Sequence, residues 1–273
     1  MTQAQTITSF IIDSFTDAPF KGNPAAVCFV EGALTPAQMQ NIATEFGLSE
    51  TAFVQAMEAG FFSIRYFSPK MEIDLCGHAT LAAIKALVHA GRVGTSVRFI
   101  TGAGLELTGD IKGEVIDMHF PVFTTERADA PQALCGALGI SGVINAEFCA
   151  GIKSLLVEID DVELLRKLTP DYSALVASHT GIDGVCVTAR SDQTGYDFES
   201  RYFWPWSGTD EDPVTGSAHS MLAPYWYARL GKTSMRALQC SARGGFMNLN
   251  FTPNEGLIIS AQAQVILKGE LYI

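Results

Sequence analysis

The chain has 273 residues, 48% of them hydrophobic and 17% charged, enough to bury a large core in one domain or in two of about 130 residues. Eighteen basic residues against 29 acidic ones give a net charge of −11, which leaves no electrostatic footprint for nucleic acid or for an anionic membrane surface. Eleven Pro and 25 Gly are ordinary counts, so a low-complexity or disordered class is excluded.

The opening stretch MTQAQTITSF has neither a basic n-region nor an apolar core, so no signal peptide is expected. ITSFIIDSF, AAVCFV, TAFVQ and FFSIRYF follow as predicted strands, rich in β-branched and aromatic residues. A helix over Pro36–Phe46 interrupts them, with Thr35 as its N-cap and Gly47 as its stop. A second helix is predicted from His78 to Ala90, ended by Gly91; Lys85 breaks the apolar run that would otherwise be the best membrane candidate. SVRFIT, LELTGD and GEVIDMHF read as three more strands joined by Gly-rich turns.

After Pro121 the pattern restarts. A helix over Ala130–Leu138 precedes the strands INAEFC, KSLLVEI, GVCVTA and YDFESRYF. A long helix from Ser217 to Leu230 is stopped by Gly231, and SMRALQC, GGFMNLNF, GLIIS and AQVILKGELYI close the chain as strands. The phrase RYFSP at Arg65–Pro69 returns as RYFWP at Arg201–Pro205. Each time the order is strand, RYF-x-Pro, irregular loop, Gly, apolar helix. That shared context predicts a duplicated α+β unit, two lobes each with a sheet and a central helix.

In both halves a glycine opens the helix: Gly77 after Cys76, and Gly216 between Thr215 and Ser217. Helix N-termini carry unpaired N–H groups and the positive end of the dipole, so a pair of them suits a carboxylate ligand. Taken singly, each reads first as a turn or a plain N-cap, and it is the pairing that points to a ligand. Glu211 and Asp212 read as capping acids, Glu50 as a surface acid, and Cys76 as a small buried apolar residue or a thiol activated by the helix end. The six cysteines, Cys28, Cys76, Cys135, Cys149, Cys186 and Cys240, form no CxxC pair, and no Cys, His or carboxylate cluster has metal-ligand spacing. GKT at Gly231 has Trp226 where a phosphate loop needs glycine, and neither HExxH nor GxSxG occurs. A reduced, soluble, cytoplasmic protein is the expectation.

DSFTDAPFKGNPAAV, LSETAFV, LCGHATLAA and EDPVTGSAH together resemble the phenazine biosynthesis PhzF-like family, over essentially the whole chain. The resemblance implies the diaminopimelate epimerase-like fold. That is an α+β arrangement of two pseudo-symmetric lobes, each a curved, mostly antiparallel sheet wrapped around a central helix, with the active site between them. It implies an N-terminal lobe of residues 1–121, to which the strand 263–273 returns, and a C-terminal lobe of 122–262. Carried over, Glu50 is the general acid/base and His78 and Asp212 its polar catalytic partners. Gly77, Gly216 and Ser217 grip the ligand beside Cys76 and Thr215, and Asn23 lines the cleft. Related epimerases oppose two cysteines; this chain has Cys76 in the first position and Asp212 in the second, which disfavours a two-thiol racemase.

The expected function is a cofactor-independent isomerase that moves a proton on a small carboxylated metabolite, without metal; a homodimer is what the resemblance implies. Burial is expected to raise the Glu50 pKa toward neutrality. The rival readings are a racemase or epimerase of an amino or hydroxy acid using Cys76, and a non-catalytic small-molecule-binding or scaffold protein. Trp204 and Trp206 read as an aromatic wall of the site or as core.

Overall fold

The structure, a computed structural model, describes residues 6–273; the first five, part of the stretch read for a leader, lie outside them. The chain divides into two compact units. One holds the described residues up to His119 together with Ser260–Ile273, and the other holds Phe120–Ile259.

In the first unit, strand β1 (Thr6–Ser14) pairs antiparallel with β2 (Asn23–Phe29) and with the C-terminal strand Ala263–Tyr272. Helix α1 (Pro36–Phe46) carries the chain back so that β3 (Glu50–Glu58) runs parallel to β2. Strand β4 (Phe61–Phe67) returns antiparallel to β3. A two-residue strand, Glu72–Ile73, pairs back onto β4, and helix α2 (Gly77–His89) then crosses over to Ser96–Thr101, parallel to β4. Two antiparallel strands, Glu106–Lys112 and Val115–Phe120, follow.

The second unit repeats this order. Val143–Cys149 is antiparallel to Ser154–Ile159, which is parallel to Gly184–Arg190, and that strand is antiparallel to Phe198–Trp204. A short strand, Thr209–Asp212, pairs back on the last of these. The helix His219–Leu230 then leads to Ser234–Gln239, parallel to Phe198–Trp204. The duplication inferred from RYF is thus present in the strand pairings.

The repeated phrase has a physical cause. Arg65 donates through Nε and Nη2 to the two Glu72 oxygens, both at 2.7 Å, and Arg201 does the same to Glu211, again at 2.7 Å. Each arginine also lies over the phenylalanine two residues on, at 5.3 Å for Phe67 and 4.9 Å for Phe203. Each tyrosine is buried and bonded through its hydroxyl, Tyr66 to Thr80 at 2.6 Å and Tyr202 to Ser154 at 2.5 Å. RYF is therefore a clamp that ties a strand to the short returning strand before each helix.

Local chemistry sets the helix limits. Thr35 accepts from the Gln38 N–H while Gln38 reaches back to the Thr35 N–H, Pro36 occupies the first turn, and Gly47 ends α1 at φ 63°. Helix α2 is buried from His78 to Leu87, apart from Lys85, and so serves as the core of its unit. Gly109 lets a strand pass close by, since a Cβ there would stand 2.5 Å from Ile84 Cδ1.

Several limits differ from expectation. The last long helix starts at His219 rather than Ser217, because residues 216–218 form a tighter turn with i to i+3 bonds. Asp212 and Glu211 do not cap that helix but lie in the strand Thr209–Asp212. Two short helices, Val162–Lys167 and Tyr172–Ser178, were not anticipated; Asp161 and Asp171 cap them. No helix among the described residues is long and apolar enough to cross a membrane.

Candidate active site

The site in the first unit is assembled by three element starts. Asn23 opens β2, Glu50 opens β3, and Cys76 is the N-cap of α2, with Gly77 and His78 in its first turn. The parallel register of β2 and β3 sets Ala25 opposite Glu50, which brings the beginnings of both strands to one end of the sheet. Ser14 Oγ, at the end of β1, donates to the His78 carbonyl at 2.7 Å and fixes the helix start against the sheet. Thr80 Oγ1 donates to the Cys76 carbonyl, also at 2.7 Å.

Glu50 is only 9% exposed, so it is not the surface acid its local sequence suggests. Its Oε2 stands 3.0 Å from His78 Nε2, while His78 Nδ1 lies 3.3 Å from Cys76 Sγ and 3.4 Å from Asn23 Nδ2. Ser49 Oγ is 3.4 Å from the same Nε2. One imidazole thus sits among a carboxylate, a thiol, a hydroxyl and an amide.

Burial alone would push the Glu50 carboxyl up, but the His78 charge and hydrogen bond outweigh it and hold the group below its ordinary value. This corrects the expected direction. Burial opposes a charge on His78, yet Cys76 and Glu50 beside it raise its pKa well above the usual value. Burial dominates at Cys76 and pushes its thiol up, with His78 acting the other way. The stable arrangement is a Glu50 carboxylate against a His78 imidazolium.

Glu50, Cys76 and His78 also form a group whose ligand atoms all lie within 4.8 Å of one another. Their sequence spacing gave no hint of it, because one donor comes from a strand and two from a helix start.

The second unit holds its own polar cluster. Asp212 Oδ2 accepts from Thr215 Oγ1 at 2.6 Å. The buried Gln239 donates to the Asp212 carbonyl at 2.7 Å and accepts from the Thr215 N–H at 2.8 Å. His219 Nδ1 donates to the Thr215 carbonyl at 2.9 Å, the same position in the turn that Thr80 serves for Cys76. Gly216 and Ser217 lie in the turn ahead of the helix, the first buried and the second exposed. Gln239, Ser14 and Ser49 went unread in sequence, and Gln239 had no local signal at all. Trp206 donates to the His179 carbonyl at 3.1 Å and packs, partly buried, against the core of its unit. Trp204 packs edge-on against Tyr202.

The family described as phenazine biosynthesis-like protein matches residues 12–269. The chain belongs to the phenazine biosynthesis-like family. It is 42% identical to an uncharacterized isomerase of Pseudomonas aeruginosa, over 98% of this chain and 99% of that one. Among solved structures, a phenazine biosynthesis protein of the PhzF family from Enterococcus faecalis has a TM-score of 0.91 at 40% identity, covering 98% of this chain and 100% of that one. A predicted epimerase from Pseudomonas aeruginosa, at 20% identity and TM-score 0.77 over 97% of this chain and 99% of that one, shares the fold. The fold of this phenazine biosynthesis-like chain is the diaminopimelate epimerase-like one that its motifs implied.

Proposed function

We propose that the chain is an isomerase that moves a proton on a small carboxylated metabolite without a cofactor, with Glu50 as general acid and base. The observation that carries this reading is the 3.0 Å contact between Glu50 and His78, both buried. His78 keeps Glu50 ionised at neutral pH, so the carboxylate is ready to accept a proton. Once protonated it loses its ion pair with His78, which favours return of the proton to the substrate. The first-turn N–H groups of α2 supply a positive end for the substrate carboxylate and for developing negative charge. Asp212, held by Thr215 and Gln239, belongs to the same proposal as a polar catalytic residue. The name of the Pseudomonas relative supports the isomerase class.

A second reading, epimerisation through Cys76, is favoured by one observation, the 3.3 Å approach of its sulfur to His78 Nδ1. Proton NMR in D₂O with a panel of small carboxylates separates the two. Deuterium uptake with a shifted double bond supports isomerisation, and uptake with inversion supports epimerisation. Binding without uptake would leave the fold as a binding protein. A homodimer and a cytoplasmic location belong to the same proposal, and sedimentation equilibrium tests the first.

A further inference from the structure

We propose that Cys76, His78 and Glu50 also form a nucleophile, base and carboxylate triad that cleaves small acyl esters or thioesters, with Cys76 carrying the acyl group. The two ring nitrogens of one imidazole have separate partners: Cys76 Sγ lies 3.3 Å from Nδ1, and Glu50 Oε2 lies 3.0 Å from Nε2. This order activates a cysteine nucleophile, because one nitrogen takes the thiol proton while an acceptor holds the other nitrogen in place. Burial pushes the Cys76 thiol up, so the sulfur is no ready thiolate and depends on a base beside it.

The surroundings fit that role. Asn23 Nδ2, a donor, lies 3.4 Å from Nδ1 and favours the form in which Nδ1 keeps a lone pair and the ring proton sits on Nε2, facing Glu50. Ser14 holds the His78 carbonyl and Thr80 the Cys76 carbonyl, which fixes the backbone of both residues. The first-turn N–H groups of α2 have no intrahelical partner and supply an oxyanion site beside the sulfur. Cys76 is 8% exposed and follows Leu75, which is 43% exposed, so the sulfur lies just beneath the surface and admits a small acyl group.

The resting cluster holds a His78 imidazolium and first releases the Nδ1 proton to solvent. The Cys76 sulfur then attacks the acyl carbon, its proton passes to Nδ1, and the carbonyl π pair moves to the oxygen. Collapse re-forms the C=O bond and expels the alcohol or thiol, which takes the proton from Nδ1 and leaves a Cys76 thioester. Water attacks that thioester and gives a proton to Nδ1; the sulfur departs and recovers it. Ester and water thus yield acid and alcohol. The titratable groups facing the Cys76–His78 pair are Glu50 from β3 and Tyr66 from β4. Because a proton must leave first, the rate should rise with pH above neutrality.

This activity goes beyond the isomerase reading and is read with a different probe. Full-length protein is incubated with p-nitrophenyl acetate, and nitrophenol release is followed beside a mass-spectrometric peptide map. Acetyl should appear on the peptide that carries Cys76 and turn over. Cys76→Ala should lower release by about 10²-fold or more. Cys135→Ser, a change at a half-buried thiol in the second unit, should alter nothing. Glu50→Gln removes the anion that supports the His78 charge, so the rise with pH should begin at lower pH and level off at a lower rate. Far-UV circular dichroism checks each variant; if one does not fold, the peptide map of the wild type decides. Acetyl on other residues with Cys76 unmodified, release unchanged in Cys76→Ala, or an unmoved pH profile in Glu50→Gln overturns the proposal. Deuterium uptake into a carboxylate without acetylation of Cys76 would sink the triad and leave the isomerase reading, whereas turnover through acetyl-Cys76 without deuterium uptake would do the reverse.

Discussion

Gly22 lies so close to Ser14 that a Cβ on it would stand 2.0 Å from the Ser14 carbonyl oxygen, and its φ of 66° is left-handed. Two independent constraints therefore demand glycine directly before Asn23, where β2 begins and where Ser14 also holds the His78 carbonyl. Gly22→Ala should cost more than the roughly 1–2 kcal/mol of a left-handed alanine alone, because the obstacle is backbone and cannot rotate away. Gly60 is the control, with a φ of 73° and nothing within 4 Å of its missing Cβ. Urea midpoints should fall clearly further for Gly22→Ala than for Gly60→Ala; equal falls would refute the close approach.

Glu50→Gln should keep the fold and lower proton exchange by about 10²–10⁴-fold, the usual contribution of a general acid–base group. Gln matches Glu in shape but cannot take the proton. The same change removes the anion that supports the His78 charge, so the His78 ring pKa should fall in an NMR titration. Exchange near the wild-type rate in a folded variant would remove Glu50 from the role.

Cys76→Ser should lower exchange by less than about tenfold, or about 1.4 kcal/mol of barrier. The thiol touches His78 but is pushed toward its neutral form by burial, which makes it a poor base. If Cys76→Ser is as inactive as Glu50→Gln, epimerisation through the thiol replaces the proposed reaction.

Stability should fall as pH drops below about 6.5, and His219 is one cause. It is fully buried and its pKa is pushed down to about 4 by that burial, with the Thr215 carbonyl acting the other way. The unfolded chain binds this proton below its ordinary value and the folded chain does not, so the contribution is complete above that value. It is lost as pH falls toward 4, by about 3 kcal/mol at most. His219→Asn keeps a donor for Thr215 but does not titrate. Denaturant melts between neutral pH and pH 4 should show a shallower decline for the variant; parallel declines would contradict the assignment.

The two RYF clamps should differ in strength. Arg201 and Glu211 side chains are 9% and 15% exposed, against 29% and 37% for Arg65 and Glu72. Arg201→Ala strands a half-buried carboxylate and frees the Leu168 carbonyl, so a loss of about 3 kcal/mol is expected, whereas Arg65→Ala should cost about 1 kcal/mol. Replacing Arg201 by Met and Glu211 by Leu together should recover much of the loss. Chemical denaturation of the four proteins checks the order.

The sequence by itself determined the repeated architecture and the ends of most helices, because those depend on neighbours in the chain. Thr35 with Gln38, and glycine at 47 and 231, are local devices, and the RYF phrases record a clamp built within a few residues of each strand. The helix starting at His219 escaped by two residues because a tight turn there competes with the helical one. The short helices after Ser154–Ile159 escaped because six or seven residues carry too little periodicity. The site was legible only through resemblance. Nothing near Glu50 distinguishes it from a surface acid, and its burial follows from where β3 lies beside β2. Its lowered pKa, opposite to expectation, is decided by the His78 imidazole at 3.0 Å, a contact between a strand and a helix that are distant in the chain. Gln239 and the contacts of Cys76 and Glu50 with His78 were likewise invisible, since hydrogen bonds depend on separations in space that only the folded sheet and its central helix create.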